Sequence, residues 1–152
     1  MFKIREDDLS SKPTRALLAL HMADMHANSP PSHVFALDLS GLQRPEITVW
    51  SAWVGNQIAS IGALKRLDSE NAEIKSMRTH PAFLRKGAAM AVLDHIIAAA
   101  RASSLRRLSI ETGSGMAFDP ALALYRKRGF INGDAFGGYK ASAFNQFLHL
   151  DL

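Results

Sequence analysis

The residues most suited to chemistry in this chain lie in one short run, Arg85-Lys86-Gly87-Ala88-Ala89-Met90, where a basic pair meets three small residues at the start of an apolar helical repeat. Small side chains let backbone N–H groups approach a ligand closely. The free N–H groups of a helix's first turn, with the helix dipole behind them, favour an anion at that point. Arg85 and Lys86 add charge-assisted donors of the kind that hold phosphate. Taken alone, the run fits a pyrophosphate cradle and equally a capped turn with a solvated basic pair.

Other reactive types are less well placed. His21 and His26 are not at the i, i+4 spacing of a helical zinc site and lack an H-E-x-x-H pattern, so no metal is expected. Ser114, in Gly113-Ser114-Gly115, lacks the longer G-x-S-x-G context of a nucleophile elbow and reads as a loop residue beside the site. Trp50 and Trp53 suit a core or an interface.

The elements around the run follow from periodicity. Residues 2–6 alternate as a first strand, and Ser11 can cap a helix that has Pro13 in its first turn and Leu18, Met22 and Met25 on its apolar face. Residues 33–42 suit a short second helix or an irregular segment. Residues 47–54, 57–64 and 72–79 form three consecutive antiparallel strands, the first two joined at Gly55-Asn56. From there the period changes to that of a helix, with Ala89, Val92, Leu93, Ile96, Ile97 and Ala100 on one face. The strand 107–112 comes after a single helical crossover, which implies parallel pairing with the strand before that helix. Asp119 as N-cap, Pro120 at N1 and Gly129 as stop mark a short helix over 121–128. Residues 130–139, broken by Gly133, Gly137 and Gly138, and residues 145–150 read as two last strands. The outcome is a mixed α/β (α+β) fold: a mostly antiparallel central sheet flanked by helices, in a single domain over residues 1–152.

Composition agrees with that size of core: 152 residues, 47% hydrophobic and 21% charged. The absence of cysteine removes disulfides and thiolate chemistry and points to a reducing, cytoplasmic setting. The N-terminus turns acidic at Glu6-Asp7-Asp8, and no run approaches the roughly 18 apolar residues of a membrane span, so a soluble, untargeted chain with no membrane partner is expected. The net charge of +4 suits an anionic ligand or simply a solubilising surface. Arg101, Arg106, Arg107, Arg126, Lys127 and Arg128 are not interleaved with aromatics, which argues against nucleic acid.

Across nearly the whole chain, the order of elements resembles the GNAT superfamily of acetyl-CoA-dependent N-acetyltransferases. His80-Pro81 followed by Arg85-Lys86-Gly87-Ala88-Ala89 resembles that family's pyrophosphate loop, Q/R-x-x-G-x-G/A, and residues 121–130, with Leu124-Tyr125 and Gly129-Phe130, are similar to its A-x-x-L-Y-x-x-x-G-F signature. Leu84 stands where the loop pattern has Gln or Arg, and Phe118 where many members have Asn. The resemblance implies an acyl-CoA N-acyltransferase fold and transfer of an acetyl group to an amine of a small molecule or peptide by direct attack in a ternary complex. Acetyl-CoA would lie on Met77, Thr79, Arg85, Lys86, Gly87, Ala88, Ala89 and Met90, with Tyr125 as general acid. Glu73 is the first choice of base and Glu111 the second. A catalytically silent CoA-binding sensor of the same fold is the alternative, and a homodimer is left open.

Overall fold

The computed structural model describes residues 1–152. Its frame is a seven-stranded sheet in the order β1-β2-β3-β4-β5-β7-β6. The strands are β1 (Lys3–Glu6), β2 (Ile47–Val54), β3 (Gln57–Arg66), β4 (Asn71–Thr79), β5 (Arg107–Thr112), β6 (Ile131–Asn132) and β7 (Gln146–Asp151). All neighbours are antiparallel except β4 and β5. That exception follows from the crossover by α3 (Ala88–Ala102), since a helix lets the chain return to start a strand in the same direction.

Two apolar clusters cover opposite faces of the sheet, because successive strand residues point to opposite sides. In β3, Leu64 packs in the cluster built on α3, while Ala63 packs in the cluster under α1 (Lys12–Asn28). Gly62 lies beneath α3, where even a methyl group would press on Met77, Val92 and Ile96. α3 buries Ala88, Val92, Leu93, Ile96, Ile97 and Ala100. Ala88 therefore takes the buried place that periodicity gives to Ala89, which is half-buried beside a cleft.

Ser11 caps α1, accepting from the Thr14 N–H at 3.3 Å, with Pro13 in the first turn. The buried face is Thr14, Leu17, Leu18 and His21 rather than Leu18, Met22 and Met25. Two polar residues can be inside because both are satisfied. The Thr14 hydroxyl donates to Asp7 Oδ2 at 2.9 Å, which also receives the Ser51 hydroxyl at 2.6 Å and so ties α1 to β2. His21 accepts from Arg78. Trp50 and Trp53 are both core residues. A short α2 (Leu39–Leu42) forms within the segment where a second helix was one of two expectations.

Two sequence expectations need correction. α4 spans Asp119–Lys127 and its N-cap is Phe118, so Asp119 is the first helical residue. Phe118 is buried edge-on against Phe144, which fixes the boundary by packing, and Asp119 serves the helix dipole from inside the first turn. Gly129 does follow the C-cap, at φ +95°. The strand expected over 130–139 reduces to Ile131–Asn132, after which residues 133–145 leave the sheet. Gly133 passes so close to the His149 ring that a Cβ would sit 2.8 Å from it, and Gly137 takes φ +56°. No helix is long and apolar enough to cross a membrane.

Candidate active site

β4 and β5 pair over Asn71↔Arg107, Ala72↔Leu108 and Glu73↔Ser109, and then part. Past Glu73, one edge of β4 has no strand beside it, so the N–H and C=O groups on that side face a gap and are open to an extended, amide-bearing ligand. A bulge displaces the ladder between Ile61 and Ala63, opposite Ser76, whose φ of +57° is unusual for a residue with a side chain. The gap opens into a cleft of about 840 Å3 walled by β4, β5, α1, α4 and the start of α3.

At one end of the cleft lies the cradle. His80 caps a single turn at Pro81–Phe83, its Nδ1 accepting from the Ala82 N–H at 3.0 Å. Arg85 (φ +59°) and Gly87 (φ +86°) then bend the backbone into the helix start. The first intrahelical bond runs from Ala91 N–H to the Gly87 carbonyl at 3.0 Å, which leaves the amides of Ala88, Ala89 and Met90 free. A Cβ built on Gly87 would meet nothing within 4 Å, so the space before those amides is open to a ligand. Arg85, Gly87, Ala88, Ala89, Met90, Met77 and Thr79 all line the cleft. Lys86 does not; its ammonium lies 5.7 Å over the Phe83 ring.

Midway, α4 presents Tyr125. The residue is buried, its ring 5.9 Å from that of Phe130, and burial pushes the phenol above its ordinary pKa while Arg78 pulls it back. It stays protonated throughout the working pH range. Arg78 is held from α1: Nε donates to His21 Nδ1 at 3.1 Å and Nη1 pairs with Asp24 Oδ2 at 3.0 Å. Burial, with Arg78 and Lys75 adding to it, lowers the His21 pKa to about 4, so the ring is neutral and its Nδ1 is available to accept from Arg78.

The far end is acidic and aromatic. Glu73 is buried, and its Oε2 accepts from the Tyr139 hydroxyl at 2.5 Å and from Lys75 Nζ at 3.2 Å, while Lys75 also donates to Tyr139 at 2.8 Å. Glu111, on β5, takes part in no ion pair. Burial raises its pKa to about 7, with Lys75 opposing the shift and Glu73 adding to it. Around these groups the rings of Phe35, His33 and Phe144 follow one another at 5.7–6.1 Å. Ser114 fastens this wall, donating to the Phe144 carbonyl at 2.6 Å.

The cleft thus brings together Tyr125, Glu73, Glu111 and the cradle, all named from sequence. Lys75, Arg78, Tyr139 and Phe35 were not named. Two charged residues at alternate positions of a strand between buried neighbours were a signal for Lys75 beside Glu73. Tyr139 and Phe35 lie on irregular segments whose course no periodicity encodes.

Residues 14–130 match the acetyltransferase (GNAT) family model. The uncharacterized N-acetyltransferase YedL of Escherichia coli (strain K12) is 44% identical over 152 residues, covering 100% of this chain and 96% of that protein. The uncharacterized N-acetyltransferase YsnE of Bacillus subtilis (strain 168) is 47% identical over 136 residues, 90% of each chain. Among solved structures, a GNAT family acetyltransferase from Elizabethkingia anophelis with acetyl-CoA bound superposes with a TM-score of 0.70 at 19% identity, covering 99% of this chain and 98% of that one.

The Glu73–Lys75 pair has a measurable consequence. Side-chain exposures of 4% and 9% leave little water to replace a lost partner. Lys75→Met is expected to destabilise the chain by about 3 kcal/mol, and adding Glu73→Leu to recover at least half of that, since a buried pair costs most when only one member is removed. Urea unfolding of the two single variants and the double variant tests it, and additive losses would contradict it.

Proposed function

The chain belongs to the acetyltransferase (GNAT) family and is an acetyl-CoA-dependent N-acetyltransferase; from that premise we propose that acetyl-CoA lies along the open edge of β4, with Tyr125 at the leaving sulfur and Glu111 as the base. The observation that carries this placement is the parting of β4 and β5 after Glu73 and Ser109, which lines up the cradle, the β4 edge, Tyr125 and Glu111 in one cleft. When bound, acetyl-CoA supplies the acetyl thioester and a thiolate leaving group.

The amides of Ala88, Ala89 and Met90 suit a pyrophosphate, with Arg85 beside them adding a cation. Met77 and Thr79 lie on the part of β4 that has lost its neighbour, where backbone groups can pair with the amides of the pantetheine arm. A β4 N–H there would also favour the carbonyl oxygen as it gains negative charge, and fixed donors do so without reorganising.

Glu111 takes a proton from the acceptor ammonium, directly or through one water, and leaves a neutral amine able to attack. Of the two carboxylates named from sequence, Glu73 has its Oε2 engaged by Tyr139 and Lys75, while Glu111 has no ion-pair partner and a pKa raised to about 7, suited to accepting a proton near neutrality. Glu111 therefore takes the role that sequence gave first to Glu73, and Glu73 holds Lys75 and Tyr139 in place. Tyr125 donates a hydrogen bond to the departing sulfur. Ordinary phenol and thiol pKa values, about 10 and 8.5, already make full proton transfer uphill by ~2 kcal/mol, and burial of Tyr125 widens that gap, so the phenol stabilises the sulfur mainly by that bond. Arg78, fixed by His21 and Asp24, adds positive charge on the same side. A reacting pair in one cleft supports turnover over a silent sensor, and the cysteine-free sequence supports a cytoplasmic setting.

Gly87→Pro is expected to weaken acetyl-CoA binding at least tenfold, because proline fixes φ near −65° where the cradle needs +86°. Leu84→Ala should change it less than twofold; titration calorimetry compares them, and equal losses would contradict a backbone cradle. Tyr125→Phe is expected to slow CoA release about 100-fold, the usual scale of an acid–base group, with acetyl-CoA affinity within twofold. For Glu111 the sign is set by its raised pKa: the active, deprotonated form grows as pH rises, so kcat climbs through about pH 7. Glu111→Gln removes that limb, and a variant that kept it would rule Glu111 out as the base.

A further inference from the structure

Charge pairing in the cleft speaks to the acceptor. β4 sends two cations into the cleft, Lys75 and Arg78, and both are already paired, Lys75 with Glu73 and Arg78 with Asp24. Of the carboxylates there, Glu73 and Asp24 are the ones spent in these pairs. Of the carboxylates lining the cleft, Glu111 alone has no ion-pair partner. The complement that this end lacks is therefore one positive charge. A carboxylate on the acceptor would find Lys75 and Arg78 already paired and would face Glu111. A second ammonium would find no free acid.

The surroundings of that charge are aromatic. Phe35 is 36% exposed although it is a large apolar residue, and it lines the cleft. Its ring meets His33 at 6.1 Å and Tyr139 at 5.1 Å, and His33 meets Phe144 at 5.7 Å, all tilted toward edge-to-face. Such an arc offers ring faces and edges to a flat apolar body, and adds attraction for a cation held beside it. Phe35 comes from the segment after α1 and Phe144 from the 133–145 connection, so the arc closes across the mouth of the acceptor side.

We propose that the acceptor is a primary monoamine on an aromatic body that bears no carboxylate, with its ammonium against Glu111 and its ring among Phe35, His33 and Phe144. This rests on the acetyl-CoA placement given above and narrows it to a substrate class. Discrimination comes from both sides: the arc favours the ring, and the unpaired Glu111 repels an acid. Adding an α-carboxylate to an otherwise identical amine then lowers kcat/KM, and so does removing the ring.

The test uses the full chain and three amines, 2-phenylethylamine, phenylalanine and putrescine, with CoA release as the rate. Thermal shift with acetyl-CoA, and with CoA plus each amine, reports binding without turnover. The expected result is kcat/KM for 2-phenylethylamine at least about tenfold above the other two, the scale of one mismatched polar group. A further rise in Tm with CoA should appear for that amine alone. Phe35→Ala, at an exposed position, should raise its KM about tenfold and leave the KM for acetyl-CoA within twofold. Equal or faster turnover of phenylalanine or putrescine overturns the monoamine class and leaves the acetyltransferase site intact. So does a normal shift with acetyl-CoA accompanied by neither turnover nor binding of 2-phenylethylamine. No shift with acetyl-CoA or CoA would instead remove the placement of the cofactor itself.

Discussion

Everything functional in this chain depends on two parallel strands that stop pairing. β4 and β5 exchange ladder bonds as far as Glu73 and Ser109 and no further. Unmade backbone hydrogen bonds are costly where water is excluded, so the separation persists only because each strand keeps its other neighbour. β4 remains on β3 through Thr79, and β5 remains on β7 through Thr112. Ile74 and Ile110, on the two sides of the parting, both sink into the core beneath α3, so the floor of the cleft is apolar and packed while its walls are bare backbone. The sheet is thus whole below and open above.

The opening is electrically polarised along its length. Arg85 and the free amides of the α3 start sit at one end, and Glu111 at the other, with Arg78 and Tyr125 between. The formal charge of +4 is therefore a poor guide to function, because cations and acids are sorted rather than mixed across this cleft. Neutralised pairs do the sorting. Arg78 is fixed by Asp24 and His21 of α1, and Lys75 by Glu73 and Tyr139, so each cation has a set position.

The regular parts of this arrangement were legible in the sequence because each rests on a local rule. Alternation marked β2, β3 and β4, a 3.6-residue period marked α3, and the crossover dictated the parallel pair. Gly87 and its small neighbours marked the cradle, and Leu124-Tyr125 with Gly129-Phe130 marked α4. Long-range packing was not legible. α1 turned a different face inward because Thr14 and His21 find partners in Asp7, just after β1, and in Arg78 of β4, and no spacing within the helix reports those partners. Phe118 displaced Asp119 as the cap because its ring meets Phe144, far along the chain. That Lys75 and Tyr139 occupy Glu73 and leave Glu111 without an ion pair was likewise not legible, because Tyr139 reaches Glu73 from a distant irregular segment.

The connection 133–145 is attached to the rest of the molecule at a few points, among them the Ser114 bond to Phe144, the Tyr139 bonds with Glu73 and Lys75, and the contact of the His149 ring with the Asp134 carbonyl. None of these touches the cradle. The cradle and the aromatic wall therefore have separate supports, and sequence drift can act on them at different rates. Descendants of one ancestor could trade this connection for another length or composition while inheriting an unaltered cradle.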